Sequence, residues 1–349
     1  MEGGNHREFW KGGTHLPPFL FPGERIADRR RDNPLGIPAF RLYSRRRMRT
    51  KPRGIARLAW IVCLALTTPI PAALGGQTFQ RSEVIYGRKF GTALTLDVFR
   101  PEQPNGCSLL FMVSGGFFSS HEAINVTFLK PFLDRGYTVF AVVHGSQPKF
   151  TIPEIVQDIH RAVRYVRHEA ANYGIESNKF GIIGASAGGH LSLTMATQGG
   201  PGKSDASDAV DRQSSAVQAV ACFFPPTDFL NYGQPGEDAV GVGVLKDFKP
   251  AFGPRADTLE GRQELGKEIS PLYYVTSNLP PTLILHGDAD KLVPIQQAEV
   301  FVEKARNAGA TARLVVKAGK LHGWPEIGDD LSLCADWFDE HLRGLKPVK

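Results

Sequence analysis

The sequence predicts an α/β protein, a mostly parallel sheet with helices on both faces, and three observations lead there. Short apolar runs recur from about residue 107 onward, each closed by turn residues. Amphipathic segments with helical spacing separate them. One run passes directly into a helix-like segment through Gly184-Ala185-Ser186-Ala187-Gly188-Gly189, a lone serine among very small residues.

Taken in order, "SEVIYGRK" and "TALTLDVFRP" lie close together and suit an antiparallel hairpin at a sheet edge. The buried strands are expected in "CSLLFMVSGG" (107–116), "YTVFAVVHG" (137–145), "KFGIIGA" (179–185), "AVQAVACFF" (216–224), "PTLILHGDAD" (281–290) and "ARLVVKAG" (312–319). Such runs are nearly continuous in apolar residues rather than alternating, as a sheet covered on both faces requires. Residues 152–174 place Ile155, Ile159, Val163 and Val166 on one helical face, with Gly174 as a C-terminal stop. Residues 295–309 and 331–344 read as further helices. The stretch 225–280 breaks the alternation. It is rich in Gly and Pro, and loops of that length are usually functional, so a partly helical, cap-like insertion is expected there.

Charge is unevenly placed. Residues 1–75 hold 14 Lys and Arg against 5 Asp and Glu, whereas the remainder holds 27 against 30. The basicity therefore belongs to the leader, which removes the main support for nucleic-acid binding. Residues 1–47 are rich in Arg, Gly and Pro and read as disordered or as a mis-called extension. From Met48 the pattern becomes that of a secretory signal peptide over 48–75: Arg49, Lys51, Arg53 and Arg57, then a short apolar run, then small residues. That run is short for a membrane span, which needs roughly 20 residues; an N-terminal anchor that stays uncleaved is the alternative. Secretion or export to the periplasm is the expectation, with residues 76–349 as the folded domain. Cys107, Cys222 and Cys334 are scattered singly beyond the leader, and no zinc spacing occurs. Neither a disulfide framework nor a metal site is expected.

The serine junction carries the chemistry. Gly184-Ala185-Ser186-Ala187-Gly188 fits G-x-S-x-G between a strand and a helix, where a tight turn lifts the hydroxyl above the sheet and larger flanking side chains would clash. The Ala187 N–H, at a helix start, can face a developing oxyanion. A serine needs a base, and the base needs an orienting carboxylate. Asp290 in "LILHGDADKLVP" is the choice for the carboxylate, with Asp288 the alternate that merely shapes the turn. His322 in "VVKAGKLHGWPE" is the choice for the base, and His144, His190 and His286 are its competitors, the last two better suited to packing or hydrogen bonding. Ser114-Gly115-Gly116-Phe117 at the end of an earlier strand offers further oxyanion donors from Gly115 and Gly116. The sequon Asn125-Val126-Thr127 carries little weight.

The stretches "GYTVFAVVH", "QDIHRAVRYVRHEAANYGI", "KFGIIGASAGGHLSL", "PPTLILHGDADKLVPIQQAE" and "LHGW" resemble α/β-hydrolases of the carboxylesterase and lipase group related to hormone-sensitive lipase. The likeness runs from about residue 81 to the end and is strongest to bacterial feruloyl and acetyl-xylan esterases. It implies the α/β-hydrolase fold, with Ser186 as nucleophile, Asp290 as orienter, His322 as base and no cofactor. It implies an oxyanion hole from Gly115, Gly116 and Ala187. Phe117 and His144, at the ends of neighbouring strands, are expected beside the substrate. The substrate implied is a small-molecule or polysaccharide ester. Two departures stand out. Val113-Ser114 replaces the His-Gly that usually opens the glycine turn, and His144-Gly145 replaces the usual Tyr-Arg. A prolyl-oligopeptidase-type peptidase shares the elbow and the order of residues, but the short stretch between signal and first buried strand leaves no room for its propeller. An inactive hydrolase-fold binding protein is the other alternative.

Overall fold

The computed structural model of the chain describes residues 79–346. The proposed extension 1–47 and signal peptide 48–75 lie outside the described residues.

The chain opens with a hairpin, β1 (Phe79–Lys89) and β2 (Thr92–Pro101), whose strands pair antiparallel. Then follow β3 (Ser108–Met112), α1 (Val126–Leu133), β4 (Thr138–Val143), α2 (Ile152–His168), the short α3 (Ala170–Tyr173), β5 (Phe180–Ala185), α4 (Ala187–Gln198) and β6 (Ala219–Phe223). The insertion that follows holds α5 (Lys249–Phe252) and α6 (Leu259–Ile269), and after it come β7 (Thr282–Gly287), α7 (Gln296–Asn307), β8 (Ala312–Lys317) and α8 (Ile327–Arg343). The strands form one eight-stranded sheet in the order β1-β2-β4-β3-β5-β6-β7-β8. β1, β2 and β4 are joined antiparallel, and every pairing from β4 to β8 is parallel. This is the α/β-hydrolase fold.

The apolar runs are continuous because successive residues feed two cores. In β4, Phe140 and Val142 join the core under α2, α4 and α7, while Val139, Ala141 and Val143 join the core under α1 and α8. In β7, Ile284 faces the first core and Leu283 and Leu285 the second. Leu129, Phe132 and Leu331, Phe338 cover one face, and Ile155, Ile159, Val163, Leu191 and Phe301 cover the other, all of them buried. At about 25 cal/mol per Å² of apolar surface, burial on both faces is the main stabilising term of such a sheet. Cys107, Cys222 and Cys334 are free thiols buried in these layers.

Two helix boundaries differ from expectation. The 152–174 helix is interrupted at Glu169, and its second piece ends at Gly174, in the left-handed conformation at φ 67°. The last helix begins at Ile327, four residues before the apolar periodicity becomes visible, because Asp329 and Asp330 fill its first turn. Acidic residues favour the positive end of a helix but interrupt an apolar pattern. The sequon Asn125 is the N-cap of α1, its side chain accepting from the Thr127 N–H at 3.0 Å. Within 225–280 the chain forms short 3-10 turns and helices over 249–252 and 259–269. Its Phe229, Tyr232, Leu245, Phe252 and Leu265 extend the core of the α2/α4 face. Gln297 of α7, fully buried, ties the start of this segment down by accepting from the N–H groups of Thr227 (2.8 Å) and Asp228 (2.7 Å).

Candidate active site

β5 ends at Ala185 and α4 begins at Ala187, so Ser186 alone makes the turn, at φ 54° and ψ −120°. That conformation is costly for a residue with a Cβ and persists only where its surroundings enforce it. The Ser186 N–H donates to the Phe223 carbonyl at 2.9 Å, and the Ser186 carbonyl accepts from the His190 N–H at 2.8 Å. The flanking glycines are there for space. A Cβ on Gly184 would lie 2.4 Å from the Gly188 carbonyl oxygen, and one on Gly188 would lie 2.7 Å from that of Met112.

The structure brings Ser186, His322 and Asp290 together from three separate parts of the chain. Ser186 Oγ lies 2.9 Å from His322 Nε2, and His322 Nδ1 lies 2.7 Å from Asp290 Oδ2. A carboxylate only accepts, so Nδ1 carries the imidazole proton and Nε2 presents a lone pair to the serine hydroxyl. Asp290 follows the end of β7, and its other oxygen accepts from the N–H groups of Leu292 (2.9 Å) and Val293 (3.0 Å). Burial pushes the Asp290 carboxyl up, but hydrogen bonds from His286, His322 and the Val293 N–H outweigh it and hold the group well below the usual carboxylate range. Asp288 instead faces solvent and accepts from the Gly319 N–H at 2.6 Å.

His322 sits in the β8–α8 loop, which is pinned from behind. Trp324 Nε1 donates to Asp330 at 2.7 Å, and Lys317 Nζ pairs with the other oxygen of that carboxylate at 2.7 Å. Phe224, at a positive φ of 38°, lays its ring 4.5 Å from the imidazole of His322.

The glycine turn differs from expectation in one donor. The Gly115 N–H already donates to the Phe118 carbonyl at 3.0 Å, closing a small bridge. Gly115 therefore lines the cavity without offering its proton to a ligand. Among the described residues the N–H groups of Gly116 and Phe117 have no such bond, and both residues take positive φ, 54° and 65°. With Ala187 at the start of α4, they are the backbone donors available beside Ser186. The turn is braced by Ser119, which follows it, and by Ser146 and Gln147 of the β4–α2 loop. Ser119 Oγ donates to the Val113 carbonyl, the Ser119 N–H donates to Ser146 Oγ at 2.8 Å, and the Gln147 amide holds the Gly116 carbonyl.

His144 does not take the expected place beside the substrate. It is 3 % exposed, its Nδ1 lies 2.7 Å from the Gly145 carbonyl, and it is absent from the cavity wall. The apolar surroundings of the β4 end draw the ring inward, and burial lowers it to about 4. Only its backbone N–H serves the turn, donating to Ser119 Oγ at 3.2 Å. His190 is likewise buried, wedged edge-on against Phe117 and Phe229. Phe117 does line the cavity.

A cavity open to solvent lies over Ser186. Much of its wall comes from residues that sequence reasoning missed: Phe229, Tyr232, Leu245, Phe248 and Phe252 of the insertion, with Leu292 and Val293. Phe248 packs so closely on the glycine turn that a Cβ at Gly116 would lie 2.5 Å from its ring. The available signal was a pair of phenylalanines, 248 and 252, one helical turn apart in a Gly/Pro-rich stretch. Among the described residues, Glu83, Asp97 and His121 lie close enough to hold a cation. Arg81 already pairs with Asp97, and Thr95 Oγ1 meets His121 Nε2 at 2.7 Å, so their polar atoms are engaged with one another.

Comparison with known proteins decides the family. The BD-FAE family model matches residues 96–305, more than half of the chain. The chain belongs to the BD-FAE family. Similar proteins include Esterase LipQ of Mycobacterium tuberculosis, 29% identical over 66% of this chain and 54% of that protein. The chain spans about half the length of the mycobacterial relatives it matches. A truncated carbohydrate esterase from gut microbiota superposes with a TM-score of 0.64 at 25% identity, covering 76% of this chain and 98% of that one. An acetyl ester-xyloside bifunctional hydrolase from Caldicellulosiruptor lactoaceticus shares the fold at a TM-score of 0.62 and 20% identity, over 74% and 96%. The BD-FAE match runs from β2 into α7 and so contains the glycine turn, Ser186 and Asp290. His322 lies beyond it, in the loop before the last helix of this BD-FAE chain.

Proposed function

We propose that the protein is a carboxylic ester hydrolase working through an acyl-enzyme, with Ser186 as nucleophile, His322 as base and Asp290 as orienter. The observation that carries the reading is the unbroken relay from Ser186 Oγ to His322 Nε2 (2.9 Å) and from His322 Nδ1 to Asp290 Oδ2 (2.7 Å), at a serine held in a strained elbow. Ser186 attacks the ester carbonyl as His322 takes its proton. The carbonyl oxygen becomes an oxyanion facing the N–H groups of Ala187, Gly116 and Phe117. His322 returns the proton to the departing alcohol. Water, deprotonated by the same imidazole, then releases the acid and restores the serine.

The substrate reading rests on two supports. The likeness to a carbohydrate esterase favours acyl groups carried on a polysaccharide or a small sugar, and the apolar wall of the cavity suits the acyl portion. The leader from Met48 supports a secreted or periplasmic location, where such material is met. Nothing in the site favours the peptidase or the inactive binding protein. Among the described residues no helix is long and apolar enough to cross a membrane.

The test is hydrolysis by residues 76–349 of p-nitrophenyl acetate, butyrate and octanoate, acetylated xylan and methyl ferulate, with Ser186→Ala in parallel. The expected result is turnover of at least one ester that falls on the order of 10⁴-fold or more in the variant. A folded wild-type protein inactive on every ester would overturn the reading.

A further inference from the structure

His286 is singled out by its surroundings. It lies in β7, is fully buried, and its Nε2 sits 2.8 Å from the Val293 carbonyl oxygen and 3.4 Å from Asp290 Oδ2. A carbonyl only accepts, so Nε2 must carry the proton, and that proton is shared toward the carboxylate. Val293 in turn donates its own N–H to Asp290 Oδ1 at 3.0 Å, closing a ring of contacts through residues 286, 290 and 293. The Phe224 ring is T-shaped to that of His286 at 6.4 Å and tilted against that of His322 at 4.5 Å. The Nδ1 atom of His286 has no hydrogen-bond partner, which a lone pair tolerates better than a buried N–H would.

We propose that His286 is a positioning residue for the Asp290–His322 pair, its Nε2–H fixing the carboxylate oxygen that accepts the hydrogen bond of His322 Nδ1–H. This rests on the reading of Ser186, His322 and Asp290 given above. Asp290 Oδ1 is saturated by the Leu292 and Val293 N–H groups. Oδ2 meets two imidazoles, His322 Nδ1 at 2.7 Å and His286 Nε2 at 3.4 Å, and without His286 this buried oxygen would lose one of them. The carboxylate could then rotate away from the 2.7 Å contact on which the imidazole tautomer depends. The donor also spreads the negative charge of Asp290. Removing it leaves a carboxylate that holds the protonated imidazole of His322 more tightly, so the acid limb of kcat/KM moves to higher pH. The other titratable group facing Asp290 is Tyr232, whose hydroxyl is pushed far up by burial and by the Asp290 charge and stays protonated throughout.

The experiment compares His286→Leu and His286→Gln with the wild type on whichever p-nitrophenyl ester the wild type turns over. For His286→Leu, kcat should fall about tenfold with KM little changed, and the acid limb should move up. His286→Gln, which keeps a donor, should recover most of both. Equal losses in the two variants with an unmoved acid limb, or full activity in a folded His286→Leu, would overturn the proposal. A measurement independent of any variant is the imidazole ¹H–¹⁵N spectrum of the wild-type protein. The proposal requires His286 as the Nε2–H tautomer, and finding Nδ1–H would overturn it even if the leucine variant failed to fold. Activity that survives in Ser186→Ala would instead sink the underlying reading, whatever His286 does.

Discussion

Asp290 and Asp288 stand two residues apart in one turn and meet different partners. Asp290 has a fully buried side chain, accepts from His322 and two backbone N–H groups and lies 3.4 Å from His286 Nε2, whereas Asp288 faces solvent and tethers Gly319. Asp290→Asn is therefore expected to lower kcat about 10³–10⁴-fold, because an amide N–H opposed to the His322 Nδ1–H forces the wrong tautomer. Asp288→Asn should stay within about threefold of the wild type, costing no more than one exposed turn contact. Steady-state kinetics on the two variants decides which is the orienter. The sequence order of serine, aspartate and histidine made the first choice legible because each residue ends or follows a strand. The inward turn of the Gly115 N–H was not legible. It depends on the Phe118 carbonyl, three residues away, and a Gly-Gly pair permits several backbone paths.

At the scale of elements, the elbow is a contact between β5 and α4 that only glycine allows. A methyl at Gly184 would lie 2.4 Å from backbone, where no flexible side chain can yield. Gly184→Ala should lower stability by about 1–3 kcal/mol and remove most activity as α4 shifts off the end of β5. A thermal melt and an activity assay would check both, and a variant with wild-type Tm and kcat would contradict the packing account. Strand placement was readable here because β3 to β7 are buried on both faces and leave uninterrupted apolar runs. The contacts of the insertion were not readable. Phe248 reaches Gly116 across more than 130 positions of sequence, and nothing in its neighbourhood records that partner. His144 follows the same logic in reverse: a polar residue at a strand end reads as a site residue, yet the burial of β4 extends one residue further and takes it inside.

For the whole molecule, buried histidines tie stability to pH. Burial lowers both His144 and His190 to about 4, while in the unfolded chain histidine titrates near pH 6.5. Above about pH 6.5 both states are neutral and the groups contribute no slope. As the pH falls from there toward 4, the unfolded chain binds protons that the folded one excludes. Stability then drops by up to about 1.4 kcal/mol per pH unit for each histidine, levelling off below pH 4. Tm should be flat from pH 7 to 8.5 and decline between pH 6.5 and 4, with a shallower decline in His144→Gln. A Tm independent of pH across that window would contradict the burial of these rings. The central claim, an activated serine at residue 186, is tested most directly by a fluorophosphonate probe followed by peptide mapping. Labelling confined to the peptide holding Ser186, lost in Ser186→Ala and suppressed in Asp290→Asn, is the result expected. Folded protein that takes up no label, or takes it up at another serine, would contradict it.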